Sequence, residues 1–140
     1  MTKKTIPLFV IHLFVGLGAM AGGLAAILNP IDPLGAPLSL LEGSPFRSFL
    51  LIGLFLFTVL GLGNLLAALL VARFSVVGPL LSLLLGVLMM LWIIIQCVII
   101  SSVVALHIIF FVIGALQVVL ASRSLHHSGA WSDLFYELTH

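Results

Sequence analysis

Three stretches of this chain carry no charged side chain at all: residues 5–31, 48–72 and 74–122. The charges that bound them are Lys3, Lys4, Asp32, Glu42, Arg47, Arg73, Arg123, Asp133 and Glu137. A helix rises about 1.5 Å per residue, so about 20 consecutive apolar residues cross a bilayer core of about 30 Å. The first two stretches each hold one such crossing, and the third, at 49 residues, holds two with a tight turn between them. Only 6% of the residues are charged and 63% are hydrophobic, whereas a soluble domain carries about 25% charged residues. Polar groups this few cannot cover a water-facing surface, so the solvent for most of the chain is lipid. The expected fold class is an all-α integral membrane protein, an up-down four-transmembrane-helix bundle.

The breaks between spans follow from local chemistry. Span 1 is expected at about 6–28, ended by Asn29-Pro30 and Pro33, because proline lacks an N–H and disfavours helix at the residue before it. Lys3-Lys4, the apolar run and "AMA" at 19–21 imitate a secretory signal. The run continues from Leu8 through Leu28, longer than a signal core, so a retained span is expected. Span 2 is expected at 46–72, with Ser44 as N-cap and Pro45 at the first helical position. Pro79 opens span 3 at 79–100, and Ser101-Ser102 is the polar break before span 4 at 103–123. Four of the five Lys and Arg residues fall on the side of the N-terminus and Arg47 on the other, so both termini are expected in the cytoplasm. That makes 29–45 an extracytoplasmic loop, with Asp32, Glu42 and Arg47 as its candidate partner contacts and solvation as their plainer explanation. The tail 126–140 is expected to be interfacial, with Trp131, Leu134, Phe135 and Leu138 at helical spacing, Ser132 as N-cap and Asp133 in the first turn.

Within the spans the informative residues are the polar ones, because hydrocarbon makes them expensive. No Asp, Glu, Lys or Arg lies deep in any span, which argues against proton- or ion-coupled transport. Counted from the inner ends, His12, Asn64 and Gln117 lie at about one depth, while Gln96 and His107 form an outer pair near the Ser101-Ser102 turn. The inner three either line a cavity or hydrogen-bond between helices; the outer pair is an interfacial pair wetted by headgroups. Gly16, Gly18, Gly22 and Gly23 on span 1, Ser82 and Gly86 on span 3, and Gly114 on span 4 are small residues that let helix backbones approach. The lone Cys97 can form no internal disulfide and excludes Cys-x-x-Cys chemistry. His126-His127 has no further ligands nearby, and no metal cluster, phosphate loop, cofactor motif or nucleophile–base pair is visible. There is no basic patch for nucleic acid.

"GLGAMAGGLAAIL", "DPLG", "SPF", "GLGNLLAALL" and "WIIIQ", in this order and spacing, resemble a group of small bacterial four-span membrane proteins to which no activity is assigned. The resemblance spans most of the chain and implies a bacterial inner-membrane setting and nothing catalytic. The expected function is therefore non-enzymatic: helix–helix association as a homo-oligomer or as an accessory subunit of a membrane complex, with the bilayer as the other partner. A binding or transport protein for a lipophilic or small neutral solute, in a cavity between the helices, is the alternative. An integral enzyme acting on lipid, relying on His107, Gln96 and the loop carboxylates, is the third.

Overall fold

The structure, a computed structural model, describes residues 3–140, without the side chain of Leu134. The chain forms α1 (Ile6–Leu28), two 3-10 turns (Pro33–Gly35 and Leu38–Leu41), α2 (Leu50–Arg73), α3 (Val77–Ile100), α4 (Ala105–His127) and α5 (Ala130–Thr139). No strand occurs among the described residues. Helices α1 to α4 are each long and apolar enough to cross a membrane. Their most apolar windows bury 33% of their residues or fewer inside the protein. Side chains such as Phe14, Leu17, Leu84, Leu91, Ile94 and Val112 face outward. In water such a surface would aggregate; in lipid it is already solvated.

Consecutive helices pack side by side, and α1 touches α4 only sparsely. Glycines set the closest approaches. A Cβ on Gly23 of α1 would lie 2.6 Å from the Phe57 nitrogen and 2.7 Å from the Gly53 oxygen of α2. On Gly86 of α3 it would lie 3.0 Å from the Gly114 oxygen of α4. The middle of the α2 face that meets α1 is a π-helical segment, Leu56–Leu62. Such wide turns interrupt α-helices mostly in short pieces and often at functional positions.

Several boundaries differ from expectation, each for a local reason. Helix α2 begins at Leu50 rather than 46. The Ser44 hydroxyl donates to the Leu41 carbonyl at 2.7 Å and accepts from the Phe46 N–H at 3.2 Å, so it closes a turn inside the loop instead of capping a helix. Helix α3 begins at Val77, two residues before Pro79; at the third helical position proline's missing N–H has no intrahelical partner to lose. Between α3 and α4, Ser101 takes the left-handed conformation (φ 50°) and the Ser102 N–H donates to Cys97 O. The chain leaves that turn extended through Val104, which delays α4 to Ala105. At its far end α4 runs past Arg123 to His127, absorbing the His126-His127 pair that the sequence assigns to the tail.

Gly129, with φ 77°, then starts α5 at Ala130. Ser132 is therefore inside the helix and not its N-cap, while Asp133 does lie in the first turn. Trp131 folds back on α4, its indole N–H donating to Ser122 O at 3.3 Å; Leu134, part of the expected apolar stripe, has its side chain outside the described residues.

The segment between α1 and α2 is more than a solvated connector. Leu41 is 4% exposed and joins Phe49, Ala26, Ile52 and Trp92 in one core cluster, and the Phe49 N–H donates to Pro30 O at 2.9 Å. The segment folds over its end of the bundle as a cap. Its positive-φ residues are Leu34, Gly35 and Gly43.

Candidate functional site

One polar residue from each long helix meets in the interior: His12 from α1, Asn64 from α2, Ser82 from α3 and Gln117 from α4, all 0% exposed. Asn64 Nδ2 donates to the Leu60 carbonyl at 2.6 Å, which fixes the amide so that its oxygen faces His12. His12 Nδ1 lies 2.7 Å from Asn64 Oδ1 and must carry the hydrogen, because the amide oxygen can only accept. His12 Nε2 lies 2.6 Å from Ser82 Oγ, which is also 2.9 Å from the Gly78 carbonyl. Ser82 has one hydroxyl proton and two acceptors facing it. When His12 is neutral, that proton goes to Nε2. Gln117 Nε2 donates to the Ser82 carbonyl at 3.0 Å and closes the set onto α4.

The three residues expected at one depth thus come together, but not as a void and not through an Asn64–Gln117 bond. They join through Ser82, which the sequence marks only as a small packing residue. A serine in a span commonly satisfies itself on the carbonyl four residues back, and Ser82 does so with Gly78. Its second role exists only once the assembled bundle brings His12 of α1 within reach of it. The expected start of span 3 at 79 hid the match: from the observed start at Val77 Ser82 is five residues in, close to the six of His12 from Ile6.

Ser82 Oγ, His12 and Asn64 Oδ1 also have the connectivity of a nucleophile, a base and the group that orients it. No such pair was visible in the sequence. Room is what the arrangement lacks. All three side chains are fully buried, the hydroxyl abuts Gly78 O, and none of the three lines any of the cavities described below.

The outer pair sits elsewhere. Gln96 and His107 both line a groove of about 290 Å³ between α1, α2, α3 and α4, together with Gly18, Gly22, Trp92 and Phe110. They make no bond to each other. Instead the Val104 N–H donates to His107 Nδ1 at 3.2 Å, at the start of α4, which leaves Nε2 as the ring's donor in the neutral state. Two buried polar atoms have no partner among the described residues: the indole N–H of Trp92 and the amide oxygen of Gln117. In the sequence Trp92, with Met89-Met90, reads first as core or lipid-facing and second as part of a ligand box.

The glycines of α1 divide into two sets. Gly16 and Gly23 are buried against α2, while Gly18 and Gly22 would offer a Cβ nothing to meet within 4 Å. Asp32, Glu42 and Arg47 are exposed and form no ion pair among the described residues; Asp32 accepts a bond from the Asn29 amide. No group of three or more metal-ligating side chains occurs among the described residues. No family model, curated protein or solved structure matches this chain.

Proposed function

We propose that the protein is a non-enzymatic, multi-pass membrane protein that acts by helix–helix association, as a homo-oligomer or as an accessory subunit of a larger membrane complex. The observation that carries this reading is the pair Gly18, exposed, and Gly22, half-buried, along the open edge of the groove, on a helix whose other glycines are already used inside the bundle. Small residues on a lipid-facing strip let a second helix approach closely, and packing is a main driving force for association in lipid. The interior polar set supports it from the other side, since its side chains are spent on holding four helices together. The test is a Gly18→Cys variant in a Cys97→Ser background, oxidised in native membranes. We expect a disulfide-linked dimer, or a cross-link to a partner subunit. Gly18→Ile should abolish the assembly and leave the fold intact. A wild-type protein that is monomeric in bilayers and in mild detergent would rule this reading out.

A second reading has its own observation. Trp92 lines the 290 Å³ groove, and its indole N–H is buried with no partner among the described residues. An unpaired buried donor costs about 1–3 kcal/mol, and a lipophilic molecule bearing a carbonyl or hydroxyl oxygen would relieve that. If Gly18→Ile displaces a co-purifying lipophile while the oligomeric state stays constant, the groove is a ligand site.

The up-down arrangement with both termini in the cytoplasm, in a bacterial inner membrane, belongs to the same proposal. It is supported by Lys3, Lys4, Arg73 and Arg123 at one end of the bundle against Arg47 at the other. Single cysteines at Ser39 and at Ser128, again in Cys97→Ser, should label with an impermeant thiol reagent in intact cells only at position 39. Labelling at 128 would reverse the orientation.

A further inference from the structure

The largest cavity described lies at the end of the bundle that gathers the start of α1, the α2–α3 connection and the end of α4; its volume is about 810 Å³. Lys3, Lys4, Arg73 and Arg123 all line it, four of the five Lys and Arg residues in the whole chain. They come from three separate segments of the chain, and no carboxylate lines the cavity among the described residues. None of the four forms an ion pair among the described residues, and all four are exposed at their positions. Ser75 and Ser124 also line the cavity, each with a hydroxyl that makes no bond among the described residues.

A topological signal alone requires cations on one side of the membrane. It does not require them to face one concavity. Four like charges on the wall of a single cavity repel one another, and at the membrane surface that repulsion is relieved by an anion. The donor set selects among anions. Two guanidiniums present planar forks that match phosphate or carboxylate oxygens, the ammoniums add point charges, and the serine hydroxyls add neutral donors. A carboxylate offers two oxygens, while a phosphate ester offers three or four around one centre, which suits donors arriving from three sides.

We propose that this cavity binds a phosphate-bearing anion: the headgroup of an anionic phospholipid, or a soluble phosphate ester reaching it from the aqueous side. Its position at the end of the spans puts it at headgroup depth, where basic side chains attract anionic lipid. The site shares no lining residue with the glycine groove, so it stands or falls independently of the proposed function.

The full-length protein in nanodiscs tests it, with phosphatidylcholine discs as the neutral background. Thermal stability is followed as phosphatidylglycerol is introduced into the discs, and separately as inorganic phosphate or glycerol phosphate is added at constant ionic strength. A rise of several degrees with phosphatidylglycerol alone assigns the lipid source, and a saturable rise with the soluble phosphates assigns the aqueous one. In either case Arg73→Gln/Arg123→Gln should weaken the response by tenfold or more. Lys3→Gln/Lys4→Gln, at the exposed start of the chain, serves as a second variant whose folding is not at stake and should weaken it several-fold. Arg47→Gln, at the opposite end, should leave it unchanged. No response to any of these anions overturns the proposal. So does a response that survives both double variants, or one that Arg47→Gln reduces equally, because the effect would then be general surface charge.

Discussion

Gly23→Leu should separate α1 from α2 and destabilise the bundle by about 3 kcal/mol, the upper part of the range for overpacking, whereas Gly22→Leu, one residue away, should cost little. At Gly23 the first added atom already falls 2.6 Å from the Phe57 nitrogen and 2.7 Å from the Gly53 oxygen, both backbone atoms of α2. Backbone cannot rotate aside as a side chain can, so the helices must move apart. The neighbours that then lose contact include Ala26 and Ile52, which belong to the main core cluster. At Gly22 nothing lies within 4 Å, and a leucine there extends into the groove or into lipid. Reversible unfolding in mixed detergent micelles reads both. A loss below about 1 kcal/mol for Gly23→Leu would mean that α1 and α2 do not approach as closely as described.

That contrast also marks where the sequence stops being informative. Charge-free length is enough to count the four spans, because the bilayer demands it and few other environments permit it. It cannot say which of Gly16, Gly18, Gly22 and Gly23 faces a neighbour. All four are compatible with close packing, and the difference lies in the partner helix, whose π-helical segment from Leu56 to Leu62 has no evident sequence marker. Ser44 has the same limitation: the residue type favours a helix cap, but its oxygen accepts from the Phe46 N–H in a turn that no helix continues. The polar layer was half legible. Depth along each helix singles out His12, Asn64 and Gln117, yet the residue that connects them, Ser82, is the smallest and the least unusual in a span. The cap formed by residues 29–49 was legible in part. Its prolines and glycines mark a restricted, turning loop and its carboxylates a solvated one, but the anchoring by Leu41 and Phe49 depends on a cavity mouth that only the assembled helices create.

The interior polar set makes a sharper prediction, because its central residue can change tautomer. Asn64→Leu removes the acceptor at His12 Nδ1. The imidazole can then carry its hydrogen on Nε2 and donate to Ser82 Oγ, while Ser82 turns its own proton to Gly78 O, which is already 2.9 Å away. Ser82→Ala removes the other partner, and His12 keeps its hydrogen on Nδ1 for Asn64. Each single change therefore leaves only a bare acceptor nitrogen, and each should cost about 1 kcal/mol. The double variant has no such escape. One ring nitrogen must hold a hydrogen, and neither keeps a partner among these side chains, at a position that is fully buried. The cost of Asn64→Leu/Ser82→Ala should exceed the sum of the single costs by about 1 kcal/mol or more, the opposite sign from two residues that merely share one bond. Adding His12→Leu to that pair should then restore stability, since replacing all partners by apolar groups of similar size removes the unmet donor. The result is read from thermal or denaturant unfolding of the four proteins and wild type in the same micelles. If the double variant is strictly additive, or if His12→Leu destabilises it further, the imidazole is not the switchable centre of the lock, and the four helices are held together by packing alone.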